Sequence, residues 1–417
     1  MKSEAARLLA VRRVTQENQG KKTAGIDGVK SVQPAQRLQM VKLLHPKQWK
    51  GNKAKPVRRV WIPKPGKNEK RPLGIPVMIE RAQQALAKKA LEPEWESQFE
   101  ANSYGFRPGR SPQDAIGAIF NAVRYKSKFV LDADIKGCFD TINHEELLRK
   151  LNTFPQMRQS IKNWLKAGMV DKYAFAPTEA GTPQGGVISP LLANIALHGM
   201  EKAITEGFNT KQEKPILVRY ADDFVILHSK KEEIEKATQR ITAWLRNMGL
   251  VLSPAKTKVT HTLTSYAGNV GFDFLGYTVR QFPAGKTHTG KNPGGKPLGF
   301  KTIIKPSKES VKTHVREMNQ WVNKLKPAPQ EAVIKKLNPI IKGWCNYHKT
   351  VCAKKVFEGC DRCLHAQTME WARRRHHNKG KHWIVQKYWH HEEGKRWVKA
   401  RTYSDRRRKE SSQIKET

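Results

Sequence analysis

The chain of 417 residues has no long apolar run, few cysteines and few acidic residues. No stretch has the roughly 20 apolar residues of a membrane-spanning helix, and the first residues lack the long apolar core of a secretion signal. Five cysteines are too few to form a disulfide framework in a chain of this length. We therefore expect a soluble intracellular protein, cytoplasmic in a bacterium or organellar in a eukaryote.

Basic residues are present in large excess. The 78 lysines and arginines face 37 acidic residues, which gives a net charge of +41 and an isoelectric point near 10.1. Such a surplus indicates a polyanionic partner, most simply nucleic acid. The alternative is a solvated basic surface, as some ribosomal proteins have. The length suffices for two or three domains with a sizeable core.

Hydrophobic patterning predicts both strands and helices. Strands are expected as a hairpin within 55–80, as a buried strand at 129–135, as strand–turn–strand at 218–227, and at 271–279. Helices are expected within 1–50, at 81–99, at 231–248 with Gly249 as its cap, and at 311–325 and 331–344. Residues 281–299 are rich in Pro, Gly and Lys, which predicts a loop or linker.

Two adjacent carboxylates, Asp222 and Asp223, lie between the apolar runs PILVRY and FVILH. Ionised neighbours repel each other, so a turn that holds them is destabilised unless a cation lies between them. A turn also lets neighbouring side chains converge, whereas a straight strand points them to opposite faces. The alternative is that Asp-Asp merely initiates a turn.

A second group of carboxylates lies upstream in LDADIKGCFD, where Asp132, Asp134 and Asp140 fall at or just beyond the end of a predicted strand. Two strands that each deliver carboxylates to one point can bind a pair of Mg²⁺ ions. Two metals about 4 Å apart can activate an attacking hydroxyl and stabilise a leaving pyrophosphate. The pattern therefore predicts nucleotidyl transfer at an acidic centre inside a basic groove.

These stretches belong to an ordered series of motifs that covers nearly the whole chain. With them the chain resembles the reverse transcriptase/maturase proteins encoded by group II introns. The motifs are AGIDGV (24–29), VWIPKPGKNEKRPLGIP (60–76), NSYGFRPGRS (102–111), LDADIKGCFD (131–140), AGTPQGGVISPLLANIAL (180–197), RYADDF (219–224), GLVLSPAKTKV (249–259), GFDFLGY (271–277) and KGWCNYH (342–348).

The resemblance implies an α+β fold of the right-hand polymerase type. Fingers and palm, with an antiparallel palm sheet, are expected at 1–300 and a mainly helical thumb and maturase domain at 301–400. Residues 401–417 are expected to be a disordered basic tail. The chain departs from the family pattern in two respects, and we expect a shortened N-terminal stretch and no C-terminal HNH endonuclease.

By the same resemblance the catalytic carboxylates are Asp134, Asp222 and Asp223. Lys256 is expected to protonate pyrophosphate or to act electrostatically, and Lys258 is the competing choice. The expected metal ligands are Asp134, Ile135, Asp222 and Asp223, for two Mg²⁺ ions that Mn²⁺ can replace. Asp132 and Asp140 are expected to be local hydrogen-bonding residues.

The resemblance also implies a nucleotide site. Lys64 and Arg71 of the fingers hairpin would bind the triphosphate, and arginine offers a bidentate fork for phosphate. Phe139 would lie under the sugar and disfavour a 2′-hydroxyl, while Gln184 and Gly185 would contact the incoming nucleotide. The structural alternatives are ordinary surface charges, a core aromatic and a loop that enters a helix.

Nucleic-acid contacts are expected at Tyr104, Arg107, Trp344 and Tyr347. Aromatic residues interleaved with Lys and Arg can stack bases and hold phosphates. The alternative is that many of them are core residues, because large aromatics dominate core burial. Cys360 and Cys363 have the spacing of half a zinc site, but we expect buried structural cysteine rather than zinc.

The predicted function is an RNA-directed DNA polymerase that copies RNA into cDNA by two-metal nucleotidyl transfer. Associated binding of intron RNA would serve splicing and retrohoming. The alternatives are an RNA-binding maturase without polymerase activity, or a related reverse transcriptase in antiviral defence or DNA repair. The expected partners are an RNA template, a DNA or RNA primer, dNTPs and group II intron RNA, without a membrane.

Overall fold

Two compact units make up the chain. The computed structural model describes residues 1–49, 53–63, 69–209, 212–285 and 287–389. The first unit is Met1–Phe272 with Pro283–Lys301, and the second is Asp273–Phe282 with the chain from Thr302 onward. The predicted boundary after residue 300 nearly coincides with one of these breaks. The predicted tail at 401–417 lies outside the described residues.

The helices begin and end close to the expected positions. The first unit contains α1 (Glu4–Arg12), α2 (Pro34–Leu43), α3 (Met78–Gln98), α4 (Pro112–Val123), α5 (Cys138–Thr141), α6 (His144–Leu151), α7 (Pro155–Leu165), α8 (Ser189–Leu197), α9 (Met200–Thr205) and α10 (Lys231–Asn247). The second contains α11 (Lys308–Lys324), α12 (Gln330–His348), α13 (Lys354–Arg375) and α14 (Lys381–Tyr388). Gly249 follows α10 with a φ of +72°, which confirms the predicted cap.

The strands form separate sheets. They are β1 (Val57–Pro63), β2 (Lys70–Ile75), β3 (Phe129–Asp134), β4 (Met169–Asp171), β5 (Ala174–Ala176), β6 (Ile216–Tyr220), β7 (Asp223–His228), β8 (Lys258–His261), β9 (Phe272–Phe274), β10 (Tyr277–Pro283) and β11 (Phe300–Pro306). The single strand predicted at 271–279 was wrong. Leu275 and Gly276 have φ values of +50° and +78°, so the chain turns there and divides the segment into β9 and β10.

The palm sheet has the strand order β6–β7–β3–β8. Its three neighbouring pairs are antiparallel, which confirms the predicted sheet type. Apolar residues of β3 and β7, such as Leu131 and Ile226, are buried with Ile241 and Leu245 of α10 in one core. Burial of this continuous apolar surface fixes the strand register, and the register decides which carboxylates meet at the end of the sheet.

The fingers sheet has the order β2–β1–β4–β5. β1 and β2 form the predicted antiparallel hairpin, and β4 joins β1 in parallel. The loop of this hairpin, residues 64–68, lies outside the described residues, and with it Lys64.

The second unit combines the sheet β11–β10–β9 with α11–α14. Its core contains Met318, Val322, Leu337, Leu364 and Trp371, which confirms that part of the aromatic content of this region is structural. The loop or linker predicted at 281–299 was wrong for residues 281–283, which belong to β10, and the rest of that segment connects β10 to β11. No helix within the described ranges is long and apolar enough to cross a membrane.

Candidate active site

Three aspartates meet at one end of the palm sheet. Asp134, the last residue of β3, is the direct cross-strand partner of Asp223, the first residue of β7. Tyr220 of β6 also pairs with Asp223, so only Ala221 and Asp222 form the turn between the strands. Ala221 has a φ of +58°, in the left-handed region that is unfavourable for a residue with a side chain. The tight turn places Asp222 beside the pair that the register brings together.

Burial and neighbouring aspartates raise the pKa values of Asp222 and Asp223. Burial, a hydrogen bond with Asp134 and the charge of Asp222 raise the pKa of Asp223 to about 7. Burial and then the charge of Asp134 also raise the pKa of Asp222. Raised pKa values mean that the ionised forms are unfavourable together without a counter-ion. The site therefore has the electrostatic demand for cations that the sequence predicted.

Two lysines beside the site have different partners. Lys256 Nζ lies 2.7 Å from Asp134 Oδ2, and this contact raises the pKa of Lys256. Lys258 is the cross-strand partner of Asp132, two residues before Asp134 in β3, and its Nζ lies 3.4 Å from Asp132 Oδ2. The structure thus places Lys256, not Lys258, at the three carboxylates, and gives Asp132 a local ion pair.

Oxygen donors of this kind fit Mg²⁺. Within the described ranges, no set of three or more His, Cys, Asp and Glu side chains is already arranged to hold a metal. The Lys256 ammonium lies at Asp134, so side chains would have to move to admit an ion. Ile135 could contribute only its carbonyl oxygen, because its side chain is apolar and buried. Asp134 and Lys136 make the backbone hydrogen bonds that flank it, to Ser253 and Val251.

The GTPQGG loop lies against both the fingers sheet and the strand end. The Gly74 amide of β2 donates to the Gln184 carbonyl at 2.6 Å, and the Thr182 amide donates to the Phe139 carbonyl at 2.6 Å. Gln184 Nε2 donates to Asp140 Oδ2 at 3.3 Å. Gly185 has a φ of +108° and lies against the Gly74 carbonyl, where a side chain would be strained. The structure thus brings Phe139, Gln184 and Gly185 together.

Arg71 lies in β2, opposite Ile62, and is exposed. Its charge acts to lower the pKa of Asp222 against the stronger effect of burial, which shows that it lies within electrostatic reach of the carboxylates. Phe139 is half-buried and meets the ring of Phe106 edge-on at 6.1 Å. It can therefore be both a packing residue and the floor of a nucleotide site.

The predicted nucleic-acid residues of the first unit are buried. Tyr104 is 8% exposed. Arg107 forms an ion pair with Glu96 at 2.8 Å and donates to the carbonyls of Glu100 and Ser103. With the Arg107 side chain only 3% exposed, its guanidinium stabilises the protein interior and offers little surface to a nucleic acid.

Trp344 and Tyr347 lie in α12 of the second unit. The Trp344 ring stacks on His314 at 4.4 Å, and its Nε1 donates to Ser310 Oγ at 3.2 Å. The Tyr347 hydroxyl donates to the Leu275 carbonyl at 2.9 Å. Both side chains thus have polar partners within their own unit. Of the four cysteines in this unit, Cys360 is buried, whereas Cys352 and Cys363 are exposed.

Sequence reasoning missed a group that supports the catalytic turn. Arg219 is fully buried, and its guanidinium donates to Asn194 Oδ1, Ser103 Oγ and the Ala221 carbonyl. The available signal was a charged residue within the apolar strand ILVRY, at a position whose neighbours are buried.

Comparisons with known families agree with this geometry. The profile described as "Reverse transcriptase (RNA-dependent DNA polymerase)" matches residues 62–279. The profile "Group II intron, maturase-specific domain" matches residues 311–389. The profile "N-terminal domain of reverse transcriptase" matches residues 1–44, the stretch that the sequence interpretation treated as shortened.

The chain is also similar to individual proteins. The chain is 33% identical over 305 residues to Protein YkfC of Escherichia coli (strain K12). The aligned region covers 64% of this chain and 78% of YkfC. It is 31% identical over 290 residues to the group II intron-encoded protein LtrA of Lactococcus lactis subsp. cremoris, which covers 54% of this chain and 47% of LtrA. The chain thus spans less than half of LtrA. A solved apo telomerase from Candida tropicalis has a TM-score of 0.45 at 14% identity, over 54% of this chain and 53% of that one.

Proposed function

The chain belongs to the reverse transcriptases of the group II intron type, a family of RNA-directed DNA polymerases, and from this premise we propose that it copies RNA into cDNA by two-metal nucleotidyl transfer. The observation that carries the proposal is the pairing of Asp134 with Asp223 beside Asp222. Raised pKa values at Asp222 and Asp223 support it, because burial and then neighbouring aspartates disfavour their ionised forms, and bound divalent cations would stabilise those forms.

The chemistry divides among named groups. Metal ions held by Asp134, Asp222 and Asp223 would supply activation of the primer 3′-hydroxyl and neutralise the developing pyrophosphate charge. Arg71 binds the triphosphate, and Lys256 protonates or electrostatically stabilises the leaving pyrophosphate. Gln184 and Gly185 seat the nucleotide over Phe139, whose ring disfavours a 2′-hydroxyl.

The net charge of +41 supports nucleic-acid partners, namely an RNA template, a DNA or RNA primer and group II intron RNA. The match of residues 311–389 to the maturase-specific profile supports intron-RNA binding that serves splicing and retrohoming. That match also favours a second candidate function, in which the chain acts as an RNA-binding maturase without polymerase chemistry.

Primer extension decides between the two. Purified protein is incubated with an RNA template annealed to a DNA primer, Mg²⁺ and dNTPs, beside the Asp222→Asn variant. We expect wild-type protein to extend the primer and the variant to bind the duplex with equal affinity but not to extend it. Duplex binding by the wild type without extension would refute the polymerase proposal and favour the maturase.

Salt dependence tests the nucleic-acid part separately. Binding that depends on phosphate contacts releases counter-ions, so the association constant falls steeply with salt, by about 10³-fold or more between 50 and 200 mM for six or more contacts. We expect such a slope for intron RNA, measured by filter binding. An affinity that is insensitive to salt would contradict a basic groove.

A further inference from the structure

Arg219 is a buried charge inside the palm sheet. It lies in β6 next to Leu217 and Val218 and is 0% exposed. Burying a guanidinium is unfavourable unless its donors are satisfied by well-placed acceptors. Burial lowers the pKa of Arg219 only to about 10, so it remains charged at neutral pH. Nη1 and Nη2 of Arg219 have such acceptors, whereas its Nε has none among the described residues.

Those acceptors belong to three separate segments. Arg219 Nη1 donates to Asn194 Oδ1 of α8 at 3.0 Å and to the carbonyl of Ala221 in the turn at 3.2 Å. Nη2 donates to Ser103 Oγ at 2.7 Å. The fork of one guanidinium therefore joins the turn that carries Asp222 to a buried helix and to residues 102–105.

Backbone hydrogen bonds connect Arg219 to the same segment, residues 102–105. The Arg219 amide donates to the Asn102 carbonyl and its carbonyl accepts from the Tyr104 amide, both at 2.9 Å. Gly105 lies so close to the turn that a Cβ there would be 2.3 Å from the Ala221 nitrogen. Asn194 Nδ2 donates to the Gly105 carbonyl at 2.8 Å, which holds this glycine in place.

We propose that Arg219 is a positioning residue, which fixes the left-handed Ala221 turn and thereby the placement of Asp222 for metal binding and catalysis. A non-glycine residue in the left-handed region is unfavourable and persists only where surrounding contacts determine it. The proposal deepens the proposed function and rests on it for the role of Asp222, but the junction itself stands on the contacts above.

The test compares two buried arginines. Arg219→Lys keeps the charge but cannot serve three acceptors in a planar fork. Arg81→Lys is the matched control, because Arg81 is also buried and donates to the carbonyls of Pro76, Gly20 and Thr23, away from the turn. We expect both variants to melt at lower temperature than wild type.

Only Arg219→Lys should change the site. We expect kcat for primer extension to fall by about 10²-fold, the scale of a 1 Å misplacement, with KM for dNTP within about 3-fold. We also expect the Mn²⁺ affinity of the free protein to weaken several-fold. Electron paramagnetic resonance measures this affinity, and Asp222→Asn gives the background of Mn²⁺ bound at other sites. Arg81→Lys should keep wild-type kcat per folded molecule and wild-type Mn²⁺ affinity.

A second pair of variants keeps the proposal testable if Arg219→Lys does not fold. Gly105→Ala pushes on the turn without altering charge, whereas Gly117→Ala in α4 meets no atom within 4 Å. We expect the first to reduce kcat and Mn²⁺ affinity and the second to change neither. Wild-type kcat and Mn²⁺ affinity in a folded Arg219→Lys or Gly105→Ala protein would overturn the positioning role. If the wild type extends no primer, the proposed function fails, while the Mn²⁺ comparison still decides the positioning role.

Discussion

For both the Ala221–Asp222 turn and the aromatic cluster around Trp344, the sequence predicted contact with a ligand. The interactions that the structure shows at the two places differ. At the turn, burial first and then neighbouring aspartates raise the pKa values of Asp222 and Asp223, and Lys256 is a cation within reach. Around Trp344, the ring stacks on His314 and the indole nitrogen has a serine acceptor. Interactions that remain unfavourable within the chain indicate a ligand, whereas interactions that are satisfied within it indicate packing.

The largest effect should follow from a change at the strand end. Asp134→Asn leaves the fold of the palm intact but removes a charge that the metal ions need. We expect primer extension to fall by about 10³-fold or more, since a metal ion contributes several kcal/mol to the transition state. Circular dichroism checks the fold. Wild-type primer extension by Asp134→Asn would contradict a metal-binding role for the strand end. The turn and the aromatic cluster would then no longer differ in function.

A smaller loss should follow from Lys256→Met. If Lys256 supplies a proton to pyrophosphate, kcat should fall by about 10²-fold, the lower range for general acid catalysis. Lys258→Met is the matched control, because Lys258 pairs with Asp132 instead of Asp134. Single-turnover nucleotide incorporation measures both, and an equal loss in the two variants would refute the distinction between the lysines.

The cluster should respond in stability instead. Trp344→Leu removes the stack on His314 and the hydrogen bond to Ser310, and we expect a loss of about 2–3 kcal/mol of unfolding free energy. Trp383→Leu is the control, because Trp383 is 37% exposed. Denaturant unfolding compares the two variants. If Trp344→Leu keeps wild-type stability but loses most of its RNA affinity, Trp344 contacts nucleic acid instead of supporting the packing.

A buried carboxylate outside the turn sharpens the comparison further. Glu80 accepts the Lys55 amide at 2.6 Å, and burial raises its pKa from 4.5 to about 7. The folded state therefore holds a proton that the unfolded state has lost, so the stability of the wild type falls as pH rises from about 4.5 to about 7.

Glu80→Gln removes this titration. We expect the variant to gain on the order of 1 kcal/mol over wild type at pH 8 and less at pH 5. Thermal unfolding at both pH values checks it, and a constant difference would contradict the raised pKa. Mg²⁺ should leave the Glu80 titration unchanged while lowering the pKa of Asp223, which separates a structural carboxylate from a metal-binding one.

The elements with strong hydrophobic periodicity could be predicted from the sequence. The strand at 129–135 and the helix at 231–248 with its glycine cap agree with β3 and α10 to within a residue. The segment 271–279 was mispredicted, since apolar content alone does not show the left-handed turn at Leu275 and Gly276. Local pattern thus predicts an element better than it predicts where the backbone reverses.

The candidate site was predictable where its residues are adjacent in the sequence, as Asp222 and Asp223 are. Arg219 was not recognised because its partners are far away in sequence, and only the folded chain brings Asn194 and Ser103 to it. Arg107 illustrates the reverse case, in which the motif suggests a ligand contact and the fold shows an internal partner. A basic residue in a motif suggests a phosphate contact, but its ion pair with Glu96 depends on a neighbouring helix. Whether Arg107 contacts nucleic acid stays a prediction.

The junction at Arg219 has a consequence for how the protein is made. Ser103 and Arg219 are 116 residues apart, and Asp134 and Lys256 are 122 apart. At roughly 5–20 residues per second, a ribosome needs on the order of 15–50 s to synthesise the chain as far as Lys256. The carboxylate at Asp134 lacks its strand partner until Asp223 has been made, and it lacks its lysine until Lys256 has been made. The proposed metal site can therefore assemble only after more than half of the 417 residues have been made.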